Sequence, residues 1–145
     1  MPLDGGAIAT IATGQGLISS IATDGQDVFW VSTVGTAPDL ASYVRKVNRD
    51  GGVVEDLASI PGSQGGNLAL DGPFVYWTAE VVTTSSGTSG SGSVSRVPRD
   101  GSGPSTVLVG DLVYPAAVYP GDEFVYWTEF AIGSTGQARV MRLKK

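Results

Sequence analysis

An all-β chain built from a repeated sheet is the fold that three features of the sequence predict. An aromatic-tryptophan line occurs as Asp27-Val28-Phe29-Trp30-Val31-Ser32, Phe74-Val75-Tyr76-Trp77-Thr78-Ala79 and Phe124-Val125-Tyr126-Trp127-Thr128-Glu129, returning about every 48 residues. The chain carries 21 glycines and several Ser/Thr-rich stretches, which supply tight turns, and no segment sustains a helical apolar period. Each aromatic line is followed by an alternating stretch with basic residues, twice closed by Arg-Asp-Gly. A repeat of this length made of short strands and turns is that of a β-propeller blade. Helix is expected to be nearly absent.

Aligned on the tryptophans, each repeat reads as four strands. The first is short and apolar and runs into a turn: Ile21-Ala22-Thr23-Asp24-Gly25, Leu68-Ala69-Leu70-Asp71-Gly72 and Val118-Tyr119-Pro120-Gly121-Asp122. Asp-Gly between alternating apolar residues is a hairpin signal, because glycine accepts the positive φ that such turns need. The aromatic-tryptophan line is the second strand. The third alternates, as Tyr43-Val44-Arg45-Lys46-Val47, Val94-Ser95-Arg96-Val97 and Ala138-Arg139-Val140-Met141-Arg142-Leu143. The fourth, outer strand is Val53-Val54-Glu55-Asp56-Leu57-Ala58 and then Thr106-Val107-Leu108-Val109. Between second and third strands the longest linker, 83–92, is low-complexity and reads as a solvated loop tip, since the repeat continues in phase through it.

The third repeat shows no fourth strand, and its match stands at the other end of the chain. Met1 to Gly6 resembles the Pro98-Arg99-Asp100-Gly101 turn, and Ala7-Ile8-Ala9-Thr10-Ile11-Ala12 resembles the outer strand. The division is therefore 1–16 as a donated outer strand, 17–61, 62–110 and 111–145 as blades, the last incomplete without strand 7–12. A lone strand edge is an aggregation template, and propellers remove it by completing the last blade with the N-terminal strand. Three blades are too few to close a ring. The expected assembly is a six-bladed, head-to-tail homodimer in which Ile8, Thr10 and Ile11 of one chain pair beside Val140 and Leu143 of the other. A nine-bladed ring of three chains is the second choice.

Composition excludes several classes. With 145 residues and 41% apolar content the chain suits one globular domain with a core. A net charge of −5 with nine basic residues gives no positive field for nucleic acid or an anionic membrane surface. Cysteine is absent, so there are no disulfides and no thiolate chemistry, and histidine is absent, so imidazole bases and His-ligated metals are out. Met1-Pro2-Leu3-Asp4 does not read as a leader and no apolar run approaches the ~18 residues of a membrane span. The compartment stays open, an exported parent protein included.

Val75-Tyr76-Trp77-Thr78 and Val125-Tyr126-Trp127-Thr128, each followed by Val-x-Arg-Val-like strands and Asp-Gly, resemble the YWTD-type six-bladed propellers of the low-density lipoprotein receptor class. They look closer to bacterial repeat proteins, common in myxobacteria, with VYWT…VxRVPxDGG blades. The resemblance covers essentially the whole chain and implies a three-blade half of such a protein, natural or engineered. The Asp that closes YWTD is Ala79 and Glu129 here, and Trp30 stands in a Phe-Trp-Val-Ser variant, so no role for that Asp carries over. What the resemblance implies is packing by the Tyr/Phe-Trp pairs, and it implies little about function, because the fold hosts many.

The candidate site residues follow. Trp30, Trp77 and Trp127, with Phe29, Tyr76 and Tyr126, are expected to be wedged between neighbouring blades, in preference to forming sugar-stacking platforms. Asp24, Asp71 and Asp122 recur near one turn and read as Asx-turn residues in preference to a metal ring. Glu80, Glu123 and Glu129 stand at different offsets from their tryptophans and define no repeated carboxylate pair. Arg45, Arg96 and Arg142 read as surface or inter-blade arginines, in preference to an anion site. No catalytic residue, metal or cofactor is expected. The functional expectation is a self-assembling scaffold; the alternative is a module binding a glycan, peptide or small ligand in the central channel or on the loop face.

Overall fold

The computed structural model describes residues 6–37, 39–82, 91–130 and 136–145. The turn expected over Met1 to Gly6 and the loop expected over 83–92 lie mostly outside them. Eleven strands and no helix occur among the described residues. The first sheet takes β1 (Leu17–Thr23), β2 (Asp27–Val34), β3 (Ala41–Asn48) and β4 (Glu55–Pro61) in that spatial order. The second takes β5 (Ser63–Asp71), β6 (Phe74–Val81), β7 (Gly92–Pro98) and β8 (Thr106–Leu112), again in sequence order. The third has β9 (Pro115–Pro120), β10 (Phe124–Glu129) and β11 (Arg139–Lys144). Every pairing is antiparallel between sequence neighbours.

The β1–β2 turn shows why these hairpins form. Gly25 adopts φ +93°, and the Asp24 carboxylate accepts from the N–H groups of Gln26 at 3.0 Å and Asp27 at 2.9 Å. Those donors, Asp27 first, hold the Asp24 carboxyl below its usual range, helped by Arg99. Asp71 instead bonds the Lys145 ammonium, and Asp122 is exposed.

Two strand ends differ from expectation. The outer strand β4 begins at Glu55, because Gly51 and Gly52 at φ +90° and +126° prolong the preceding turn and leave Val53 outside it. The inner strand β5 begins at Ser63, earlier than Leu68, and runs through Gly65-Gly66 with a register shift against β6. Glycine reads as a turn signal in sequence, but here it permits close approach. A Cβ on Gly65 would lie 2.4 Å from Val31 Cγ2, and one on Gly66 2.3 Å from Thr78 Oγ1.

The sheets pack face to face through two apolar clusters. Phe29, Val31 and Val44 of the first sheet meet Leu68, Val75, Trp77 and Val97 of the second. Tyr76, Val94 and Leu112 of the second meet Val118, Val125 and Trp127 of the third. Successive strand residues point to opposite faces, so Trp77 and Trp127 face the preceding sheet, and Phe29 and Tyr76 face the following one.

Hydroxyl groups pin the inner strands across these joints. Thr78 Oγ1 accepts from Asn67 N–H at 2.9 Å and donates to the Ala116 carbonyl at 2.7 Å, tying the second sheet to the third. Thr78 is fully buried. Thr78→Val keeps the shape and removes both bonds, so it should destabilise the chain by about 1–3 kcal/mol, the cost of buried backbone groups left unpaired. Chemical denaturation measures it; a change within a few tenths of a kcal/mol would show that the hydroxyl does not tie the sheets.

Residues 6–16 form no strand within the single chain, and β11 is paired on one side only. Ile8 is 102% exposed and Val140 77% exposed as a result. The side chains of Ile11, Ala12 and Gln15 lie against the Trp30 face of the first sheet.

Candidate functional site

Alternation along β2, β6 and β10 decides where each aromatic goes. Phe29, Tyr76, Trp77 and Trp127 are buried within the two joints. Trp30 and Tyr126 point the other way, onto the two outward faces of the three-sheet stack. Trp30 shares its face with Ile18, Ile21 and Val28 and is covered there by Ile11, Ala12 and Gln15 around a cleft of about 110 Å³. Its buried indole Nε1–H has no hydrogen-bond partner among the described residues, whereas that of Trp127 donates to Glu129 at 3.1 Å. Tyr126 lines a cleft of about 200 Å³ with Ala117, Tyr119, Thr128 and Val140. Ile21 is 67% and Tyr119 69% exposed, so both faces present apolar surface to water.

The expected strand-exchange residues do not come together within one chain. Ile8 and Thr10 are exposed and lie in no sheet, while Val140 and Leu143 belong to β11. The arginines have local partners. Arg96 stacks over Phe74 with its guanidinium 4.4 Å from the ring centre, Arg142 over Phe124 at 4.6 Å and Arg45 over Tyr43 at 4.3 Å. Arg45 also donates to Asp56 at 2.6 Å. Glu129 is buried and accepts from Arg139 as well as Trp127. Its charge is thus matched internally.

A third cleft, of about 440 Å³, opens where the inner strands β1, β5 and β9 approach one another. Ser19, Gly66, Asn67, Ala116, Ala117 and Thr128 line it. Tyr114, Pro115, Phe130 and Glu80 line it as well. Burial pushes the Glu80 carboxyl above its usual range, and its shielded Oε1 has no hydrogen-bond partner among the described residues. Sequence reasoning passed over Glu80 because no carboxylate recurs at its offset. Among the described residues no group of three or more acidic side chains is placed to hold a metal.

No family model matches this chain, and no curated protein matches it. The solved structure of a Mycobacterium tuberculosis puromycin-hydrolyzing peptidase is similar over 91% of this chain and 33% of that chain, with 13% identity and a TM-score of 0.48. The chain spans about one third of that protein, and a likeness at this level carries no argument about fold or activity.

Proposed function

We propose that the chain is a non-catalytic, self-assembling scaffold: three propeller blades that close into a six-bladed ring with a second copy, head to tail. The observation that carries this reading is internal to the chain. Twice, a tryptophan face packs on the aromatic face of the preceding sheet, Trp77 on the Phe29 face and Trp127 on the Tyr76 face. The outward Trp30 face, covered within one chain by Ile11, Ala12 and Gln15, and the outward Tyr126 face are the two halves of the same joint. Such a pair of unlike surfaces makes a heterologous contact, which closes into a ring when the rotation between copies closes and otherwise propagates as a filament. The resemblance to six-bladed repeat proteins supports two chains over three.

Smaller features agree with it. Thr128 Oγ1 accepts from Ala117 N–H at 3.1 Å, as Thr78 Oγ1 does from Asn67, which leaves its own proton to donate. By the repeat, it donates to the backbone carbonyl of the partner's Ser19. The partner's residues 7–12 then pair with the open edge of β11, a strand addition that supplies main-chain hydrogen bonds.

The test uses one blocked face at a time. Ile21→Glu and Tyr119→Glu place a charge on opposite faces at exposed positions, so each fold should persist. Each variant alone should run as a single chain in sedimentation, and an equal mixture should form a dimer through its one intact pair of faces. Either variant keeping the assembly of the unmodified protein, or a mixture that stays monomeric, contradicts the joint.

A further inference from the structure

We infer that the cleft where β1, β5 and β9 approach one another is a binding site for a small organic ammonium ion, held by the Glu80 carboxylate. The argument begins from a departure in the repeat. At the joint of the first and second sheets, Thr33 stands three residues beyond Trp30, and its Oγ1 accepts from Gly65 N–H at 3.1 Å. Glu80 occupies the same offset from Trp77. The residue that matches Gly65 is Pro115, since Gly65 pairs with Ala79 and Pro115 with Glu129, each two beyond its tryptophan. Proline has no N–H. The structural donor of the first joint is therefore missing at the second, and a carboxylate replaces the hydroxyl that used it.

This leaves Glu80 Oε1 shielded and unpartnered among the described residues, beside a cleft large enough for a small molecule. A buried acceptor without a donor is costly and calls for a reason. Among the described residues no lysine or arginine lines the cleft, so an anion finds no opposite charge there and the carboxylate no cation of its own. Tyr114 and Phe130 are among its lining residues, and aromatic rings attract cations and take up alkyl groups. Their backbones are joined, Phe130 N–H donating to the Tyr114 carbonyl at 3.1 Å. Tyr114 is held at φ +46°, a conformation costly for a non-glycine residue, and strain of this kind gathers at binding sites. A primary or secondary ammonium meets all these features: its charge and N–H face the Glu80 carboxylate that lines the cleft, and its alkyl part lies along the aromatic residues.

The inference does not rest on ring closure, and its test separates the two. Amide NMR shifts are followed while n-butylammonium is added, with n-butanol as the neutral isostere, and the solution mass of the same sample is recorded. Saturating shifts are expected at Gly66, Asn67 and Ala116 with the ammonium and not with the alcohol. Glu80→Gln should weaken binding about tenfold or more. Pro115→Ala, which restores the N–H that Glu80 lacks, should weaken it as well and guards against a Gln variant that fails to fold. No saturation by about 10 mM ammonium, equal binding of the alcohol, or unchanged affinity in Glu80→Gln overturns the site.

Discussion

Trp77→Ala is expected to lower the unfolding free energy by about 3–5 kcal/mol, the range for emptying a large buried aromatic site. Trp77 is 1% exposed and sits among Phe29, Val31, Val44 and Leu68, so its loss opens a cavity between two sheets and touches both. Strands on either side are held by backbone ladders that resist collapse into that space. A domain of this size has about 5–15 kcal/mol in all, which puts the variant close to unfolding at room temperature. Denaturant titration reads the loss directly. A melting temperature within a few degrees of the unmodified protein, combined with lost affinity for a sugar, would transfer the tryptophans from the core to a glycan-binding face.

Removal of residues 1–13 should abolish assembly or turn it into aggregation. Two effects combine. Ile11 and Ala12 leave the Trp30 face, uncovering its apolar surface, and the strand proposed to pair with β11 is gone. An unpaired β11 edge bearing Val140 then remains open to non-specific strand addition. Size-exclusion chromatography of the truncated chain decides the matter. If the same soluble oligomer forms without residues 1–13, the exchange of this segment is wrong even though the Trp30 and Tyr126 faces still meet.

The all-β class was legible because Asp24-Gly25 and the alternating aromatic lines are local signals, each acting within a few residues. The inner strands were harder. Gly65-Gly66 reads as a break in sequence, and only the approach of Val31 and Thr78 from neighbouring strands shows that these positions need to lack a side chain. The start of β4 was missed for the converse reason: Val53-Val54 has β-forming side chains, but the two glycines before it extend the turn. Glu80 was visible as a residue and invisible as a site. Its chemistry comes from a donor that Pro115 fails to provide, and that relation appears only when the register aligns Pro115 with Gly65. The substitution of proline for glycine at that offset is the signal that the sequence does hold.

Light scattering on the full chain at micromolar concentration tests the central claim most directly. A ring of two predicts twice the 14.9 kDa chain mass, independent of dilution over the range in which the protein stays folded. A stable, folded species at the mass of one chain would contradict the self-assembling scaffold, and a mass of three chains would contradict its six-bladed closure.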